Sequence, residues 1–324
     1  MAFAALELTP DSALDSASDS ITDAAAEHGV PHIAEVLRTR QAWKAMVRRS
    51  REISMLALRA LHDELCLYPK PGLVSKMDNG SHDDMDAATF MRSLFSLRRY
   101  FSTIYLAGAA GASFDRLRRL GIDAERRMLR ATSGINTHRG AIFNLGILCA
   151  AAGRWEQEGG TSSLSSTVVC QWSDDIKQMD SVADDASHGS RACRRYAVGG
   201  ARGEAAMGFP HVFDVALPAL RAARAGGASE RAARAQAFFA ILAVLDDTNL
   251  LHRGHASGLA YAHRAAREFL AGGGVLRENW PARARAIHDA FVRRRLSPGG
   301  SADLLAATLL VDRILSGDGW QRWR

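Results

Sequence analysis

The sequence predicts an all-α protein, a single multi-helix domain in which polar loops rich in Gly, Asn and Asp between the helices form the active site. Apolar residues recur at three- and four-residue intervals through most of the chain, as they do at Phe90, Leu94, Leu97 and Phe101. Strand signals are almost missing, since the best β-branched cluster is the short run 167–169. With 324 residues, of which 47% are hydrophobic, the chain can bury a sizeable core.

The first 35 residues differ in composition from the rest. They contain no lysine or arginine, and four aspartates lie among alanines and serines: Asp11, Asp15, Asp19 and Asp23. Such a segment buries too little apolar surface to offset the entropy of ordering it. We therefore expect residues 1–35 to be an acidic, mobile N-terminal extension and residues 36–324 to be the helical domain.

Composition also restricts location and partners. The longest apolar run, 237–245, is far shorter than the roughly 20 residues of a membrane-spanning helix. The first arginine or lysine is Arg38, so the basic start of a signal peptide is missing. We expect a soluble cytoplasmic protein without a membrane partner. The net charge of +6 favours an anionic ligand such as a polyphosphate, but no basic cluster interleaved with aromatics indicates nucleic acid.

The first of four unusual polar segments is 70–86. If a helix begins near His82, then His82 and Asp86 lie one turn apart on one face, with Asp83 and Asp84 beside them. Hard oxygen ligands of this kind suit Mg²⁺ that also bridges to substrate phosphates. The alternative is that these acidic residues only cap a helix.

The second segment, 132–143, follows a helix that carries Glu125. Asn136 and Thr137 offer donors near a helix N-terminus, where free N–H groups bind phosphate. Arg139 would add a bidentate phosphate contact. The alternative is a plain helix cap with a solvated arginine.

The third and fourth segments are 199–210 and 246–254. The third places glycines around Arg202, but it is neither a Walker loop nor a GxGxxG loop after a strand, and it has low specificity alone. The fourth directly follows an apolar helix and is predicted to continue it, so that Asp246, Asn249 and Arg253 share one face. A satisfied structural network is the alternative. Together the four segments indicate a metal-assisted polyphosphate site without naming the substrate.

These strings resemble the triphosphoribosyl-dephospho-coenzyme A synthase family, especially the branch that serves malonate decarboxylase; a related branch serves citrate lyase. The resemblance spans about residues 50–270. The matching strings are 69–74, 80–82, 84–86, 134–143, 200–204 and 247–254.

The resemblance implies an all-helical pentosyltransferase that uses Mg²⁺. The ribose 2′-hydroxyl of 3′-dephospho-CoA would attack C1′ of ATP, and adenine would leave. The product is the precursor of the prosthetic group of an acyl carrier protein, and it would pass to a holo-acyl-carrier-protein transferase. The sequence leaves a homo-oligomer open.

The resemblance also implies roles for particular residues. Catalysis is assigned to Asp84, Asp86, Glu125 and His82. Metal binding is assigned to Asp84, Asp86, Glu125 and Asp247. Substrate binding is assigned to Lys70, Asn136, His138, Arg139, Arg202, Glu204, Asn249, His252 and Arg253.

The chain departs from the family pattern at a few positions. Arg139 stands where lysine is common, and His255 stands where a second glycine is usual. Ser75 and Lys76 replace the acidic–basic pair of the citrate lyase branch, which favours the malonate branch. The alternatives are the same synthase serving citrate lyase, a metal-dependent helical nucleotide hydrolase, and a helical binding module without turnover.

Overall fold

The structure, a computed structural model, describes residues 31–182 and 188–317. All regular secondary structure in these two ranges is helical, which confirms the all-α prediction. No helix in them is both long and apolar enough to cross a membrane. The first helices are α1 (Pro31–Leu65), α2 (Ala87–Ser96), α3 (Arg98–Ala109), α4 (Phe114–Ala131), α5 (Arg139–Gln157), α6 (Leu164–Val182) and α7 (His188–Tyr196). They are followed by α8 (Gly200–Ala206), a π-helix (His211–Ala216), α9 (Leu217–Ala225), α10 (Glu230–Leu242), α11 (Thr248–Ala271), a 3₁₀ turn (Gly274–Leu276), α12 (Trp280–Arg293) and α13 (Gly299–Ser316).

The chain divides into two units, residues 1–49 and residues 50–324. In the first unit, the described part is helical from Pro31 onward, so the expected boundary at residue 35 falls inside α1. Residues 1–30 lie outside the described residues, and the prediction of a mobile extension stays a prediction there. The second unit contains every residue assigned to the site.

Helix α5 lies in the core of the second unit, and its residues 144–153 are all buried. Small residues let its backbone approach that of α3. A Cβ added at Gly108 would lie 2.0 Å from the carbonyl oxygen of Ala150, and one at Gly153 would lie 2.2 Å from that of Tyr105. Only glycine fits at such an approach. The close packing fixes α5 and therefore fixes the position of its N-terminus.

Helices α10 and α13 are buried on most of their surface, and α13 packs on both α5 and α10. A helix that is apolar all round belongs in a protein interior. The packing of α13 on α5 brings Asp303, near the start of α13, against Gly140 in the first turn of α5. The site is built around these two helix starts.

Two sequence predictions about helix boundaries are wrong. Helix α2 begins at Ala87, not near His82, because Asp86 is its N-cap and accepts the N–H of Thr89 at 2.8 Å. His82 and Asp86 therefore do not share a helix face. The helix before the fourth segment ends at Leu242, and a new helix starts at Thr248.

The second error has a local cause. Asp247 is the N-cap of α11, and its carboxylate accepts the N–H groups of Asn249 and Leu250. A capping carboxylate starts a helix instead of continuing one. Asp246 consequently lies outside α11 and does not share a helix face with Asn249 and Arg253.

Candidate active site

The segment 296–303, which leads into α13, contacts the first polar segment. Ser81 donates from its hydroxyl to the carbonyl oxygen of Leu296 at 2.6 Å. Nε2 of His82 lies 2.8 Å from the hydroxyl oxygen of Ser297. The loop before α2 is therefore held against the start of α13.

Arg253 joins the fourth segment to the same place. Its guanidinium donates to the carbonyl oxygen of Ser81 at 3.0 Å and to Nδ1 of His82 at 3.2 Å. Burial and the nearby Arg253 lower the pKa of His82, so the imidazole is neutral at pH 7. Since Nδ1 accepts from Arg253, Nε2 carries the proton and donates to Ser297. The first and fourth segments thus share one hydrogen-bond network.

Asp84 lies at the exposed rim of this network, and Asp86 follows it in the chain as the N-cap of α2. Oδ1 of Asp84 lies 3.5 Å from Nδ1 of His82, and its side chain is 61% exposed. Oδ1 of Asp86 accepts both the N–H and the hydroxyl of Thr89, which lowers the pKa of Asp86. Both carboxylates remain open to solvent and can meet a ligand.

Asp247 has a different setting, since it is 1% exposed. Its Oδ1 accepts the N–H of Asn249 at 2.9 Å, and its Oδ2 accepts the N–H of Ser301 at 2.8 Å and the hydroxyl of Ser301 at 3.0 Å. One carboxylate therefore caps the start of α11 and the start of α13. At Asp247 the structure thus has the satisfied structural network that the sequence left open as the alternative for the fourth segment.

The glycine pair before Ser301 allows these helix starts to meet. A Cβ added at Gly299 would lie 2.5 Å from Nδ2 of Asn249. One at Gly300 would lie 3.2 Å from the carboxylate of Asp247. The side chains of the fourth segment thus lie directly against the backbone of α13.

The second segment ends at the N-terminus of α5, as predicted, with His138 as the N-cap residue. Nδ1 of His138 lies 2.6 Å from the hydroxyl of Ser93, which in turn accepts from the hydroxyl of Thr137 at 2.7 Å. Burial, with a smaller contribution from the charge of Lys70, lowers the pKa of His138 to about 3. The imidazole is therefore neutral at pH 7.

Glu125 and Arg139 form an ion pair at the outer edge of this helix start. Nε of Arg139 donates to Oε1 of Glu125 at 2.5 Å, and the arginine side chain is 45% exposed. Oδ1 of Asn136 accepts the N–H of Arg139 at 3.3 Å. The guanidinium is thus oriented by α4 and keeps part of its surface open.

Lys70 is buried and paired. Its ammonium donates to the carboxylate and, at 2.8 Å, to the carbonyl oxygen of Glu64, and the residue is 1% exposed. Burial raises the pKa of Glu64, against the opposing effect of the lysine charge. Because its ammonium is already paired with Glu64, Lys70 lies in the protein interior beside the site.

The third segment lies against the start of α11. Gly200, at φ +55°, is the first residue of α8, and a Cβ there would lie 2.6 Å from Sγ of Cys193 and 3.4 Å from Cγ2 of Thr248. Glu204 is buried and accepts the N–H of His211 at 2.8 Å. Its other oxygen bonds Nδ1 of His211, and this raises the pKa of the histidine.

Two further predicted residues belong to the third and fourth segments. Arg202 is half-buried on α8. His252 is exposed on α11, and its ring stacks on that of His188 with centroids 4.0 Å apart. The four predicted segments are therefore neighbours in the fold, linked chiefly through the segment 296–303.

Asp303 is a site residue that sequence reasoning missed. It lies near the start of α13, and its Oδ2 is only 2.0 Å from where a Cβ of Gly140 would be. The backbone of Ala141 in α5 acts to lower the pKa of the carboxyl. Burial, with the negative charges of Glu64 and Asp247, raises the pKa of Asp303 well above 3.8. The signal in the sequence was the string Pro-Gly-Gly-Ser-Ala-Asp at 298–303, in which glycines and a carboxylate come directly before an apolar run.

A closed metal site does not fit this arrangement. In residues 31–182 and 188–317, no group of three or more His, Cys, Asp or Glu side chains could hold a metal ion. Of the predicted ligands, Asp247 uses both oxygens as a cap and Glu125 pairs with Arg139. The exposed carboxylates of Asp84 and Asp86 fit Mg²⁺ that is held mainly by phosphates, since Mg²⁺ often takes only one or two protein ligands there.

Comparison with known proteins identifies the family. The model of the family CitG, ATP:dephospho-CoA triphosphoribosyl transferase, matches residues 50–322. A probable 2-(5''-triphosphoribosyl)-3'-dephosphocoenzyme-A synthase from Acinetobacter calcoaceticus is 42% identical over 265 residues, covering 81% of this chain and 90% of that protein. The protein of the same name from Pseudomonas aeruginosa strain UCBPP-PA14 is 43% identical over 275 residues, covering 82% of this chain and 92% of that protein.

A 2-(5''-triphosphoribosyl)-3'-dephosphocoenzyme-A synthase from Pectobacterium atrosepticum is 39% identical over 274 residues, which cover 80% of this chain and 88% of that protein. The chain therefore belongs to the CitG family of triphosphoribosyl transferases. No solved structure matches it. The family resemblance inferred from the polar segments is thus confirmed.

Proposed function

We propose that this protein transfers the triphosphoribosyl group of ATP to the ribose 2′-hydroxyl of 3′-dephospho-CoA. Adenine leaves, and the product is 2′-(5″-triphosphoribosyl)-3′-dephospho-CoA. Membership of the CitG family supports the reaction. The observation that carries the assignment to this site is the meeting of the starts of α5, α11 and α13 beside several carboxyl groups.

Helix starts and arginines suit the phosphate groups. N-terminal N–H groups and the helix dipole favour anions, and the N-terminal residues of α5 lie in the second segment. Arg139 and Arg253 are held by neighbours but stay exposed, so they can bind phosphate oxygens in a fixed orientation. Arg202 is proposed to bind phosphate from α8.

We further propose that Asp84 and Asp86 bind Mg²⁺ together with the triphosphate, while Glu125 holds Arg139 and faces the developing positive charge of the sugar. The ion would neutralise phosphate charge so that the triphosphate is held without cleavage. The amides of Asn136 and Asn249 and the imidazoles of His138 and His252 are proposed to orient the nucleotide.

The biological assignment follows the branch resemblance. We propose that the product supplies the malonate decarboxylase carrier protein through a holo-acyl-carrier-protein transferase in the cytoplasm. The residues Ser75 and Lys76 support this branch. Deleting the gene in its host should abolish malonate decarboxylation and leave citrate lyase active; the opposite result would assign the protein to citrate lyase.

The decisive assay measures adenine release from ATP and Mg²⁺, with and without dephospho-CoA. We expect adenine only when both substrates are present. Release of phosphate or pyrophosphate without adenine would overturn the proposal and favour the nucleotide hydrolase. A protein that binds ATP with no turnover would favour a binding module.

A matched pair of variants tests the site in the same assay. Asp86→Ser keeps a residue that can cap α2 but removes the carboxylate, so we expect turnover to fall while folding is retained. Ser229→Ala removes the side-chain cap of α10, and we expect turnover to remain. Full activity of the Asp86→Ser variant would show that the carboxylate of Asp86 is not part of the site.

A further inference from the structure

Asp303 lies where two helix starts face each other. It lies near the start of α13, its Oδ2 lies against Gly140, and the backbone of Ala141 acts to lower the pKa of its carboxyl. The residue is only partly exposed. Asp303 therefore lies at the start of α5 although it belongs to a different helix, and part of the residue can still meet a ligand.

The charged groups around Asp303 come from several elements. Glu64 at the end of α1 and Asp247 at the start of α11 are the carboxyl groups that act on it electrostatically. Lys70 is paired with Glu64, and His138 is neutral. Three carboxyl groups with one ammonium cannot all ionise cheaply in a buried site. Burial and these neighbours raise the pKa of Asp303, which favours its protonated form.

A second observation indicates a ligand at the same helix start. His138 is 3% exposed, and its Nε2 has no hydrogen-bond partner among the residues that the structure describes. The Ser93 hydroxyl accepts from Thr137 and has its own proton left for Nδ1 of His138. Nε2 then carries the ring proton. A buried donor without an acceptor is costly, so an acceptor on a bound ligand would satisfy it.

We propose that Asp303 is the general acid that protonates adenine during the transfer, and that Nε2–H of His138 donates to the bound nucleotide beside it. This inference rests on the proposed function. The 2′-oxygen of dephospho-CoA forms a bond to C1′ of ATP as the bond from C1′ to N9 breaks. The electron pair of that bond goes to adenine, and Asp303 gives its proton to a ring nitrogen, so that neutral adenine leaves.

No net proton is gained or lost by the protein in one turnover. The attacking 2′-hydroxyl loses a proton, and that proton returns the Asp303 carboxylate to its acid form. No oxidant, reductant or further reactant is needed. A carboxyl group whose pKa is raised by burial and by neighbouring carboxyl groups is suited to this role, because a general acid works best when its pKa lies near the working pH.

The first test is the pH dependence of kcat for adenine release. Wild-type kcat should fall as the pH rises through the pKa of Asp303, because the acid form is lost. Asp303→Asn should lower kcat by about 100-fold or more with a smaller change in KM, and should lack that alkaline limb. A wild-type profile without an alkaline limb, or a variant with unchanged kcat, would overturn the proposal.

The second test replaces ATP with N7-methyl-ATP, whose base already carries a positive charge and leaves neutral without an added proton. We expect this analogue to restore the turnover of Asp303→Asn to within about tenfold of wild type, since the step governed by general acid catalysis is bypassed. An equal loss on both nucleotides would show that Asp303 acts as a base or in folding, and would overturn the acid role.

Controls separate this inference from the proposed function. Asp312→Asn lies on the same helix and loses an ion pair with Arg224, so it reports damage to α13 without contact with the site. Circular dichroism spectra should match for all variants. If the wild-type protein releases no adenine with both substrates, the proposed function is wrong. If it releases adenine but the pH profile and the N7-methyl-ATP result differ from those expected, only the role of Asp303 is wrong.

Discussion

Asp247 and Ser301 are joined twice, because Oδ2 of the aspartate accepts both the backbone N–H of Ser301 at 2.8 Å and its hydroxyl at 3.0 Å. The two residues are 54 positions apart in the chain. This contact holds the starts of α11 and α13 together, and the network of Ser81, His82 and Arg253 lies against the segment that leads into α13.

We expect Asp247→Asn to lower the free energy of unfolding by about 1–3 kcal/mol, because an amide NH₂ would replace one acceptor and leave a buried N–H unpaired. Urea unfolding followed by circular dichroism measures the change. The exposed neighbour offers a control, since Asp246→Asn should stay within about 0.5 kcal/mol of wild type. Equal stability of the Asp247 variant would contradict the double-cap role.

His255 has φ +54° and ψ −163° inside α11, a conformation that glycine adopts without strain. We expect His255→Gly to raise the free energy of unfolding by about 1 kcal/mol, even though it loses the contact of 3.0 Å with the hydroxyl of Tyr196. His255→Ala keeps the strain and loses the contact, so it should not stabilise. A glycine variant less stable than the alanine variant would count against strain at this kink.

Arg139 carries a charge that we place on the triphosphate. Arg139→Lys should keep kcat/KM within about threefold of wild type, whereas Arg139→Met should lose at least about tenfold, mainly through a higher KM for ATP, because a charged hydrogen bond contributes roughly 1.5–3 kcal/mol. Initial rates of adenine release provide the measurement. Arg126→Met, on α4 and paired with Asp123, is the control. Equal kcat/KM of the two Arg139 variants would show that the charge of Arg139 does not contribute to ATP binding.

The buried His138 makes stability depend on pH. Its pKa is depressed from 6.5 to about 3 in the folded protein, so protons bind the unfolded state preferentially once the pH falls below 6.5. The contribution of the neutral, buried His138 to the free energy of unfolding is therefore fully present above pH 6.5 and is lost progressively toward pH 3. Between pH 6.5 and about pH 5 we expect a loss of about 2 kcal/mol.

Urea unfolding at several pH values tests this expectation. His138→Gln removes the titrating group, so the variant should show a shallower decline than wild type over the same interval. Parallel curves for the two proteins would show that His138 can be protonated without loss of the fold.

Local sequence signals were enough for the fold class and for the order of the polar segments. The spacing of Phe90, Leu94 and Phe101 indicates a helix directly, because residues on one face of a helix recur every three or four positions. The same signals misplaced the helix starts at Asp86 and Asp247, since a capping carboxylate and a ligand carboxylate look alike in a sequence. Whether an aspartate accepts N–H groups of its own helix depends on backbone geometry that residue type alone does not give.

What the sequence determined by itself is therefore an all-helical chain of the CitG family, with carboxylates, amides and arginines in four segments. The tertiary structure alone decided that the first, second and fourth segments meet at 296–303, that Lys70 is paired with Glu64, and that Asp303 belongs to the site. The physical reason is distance along the chain. Asp303 contacts α5 only because small residues let α13 pack on it, and the pKa of its carboxyl is raised by burial and by charges that are remote in sequence.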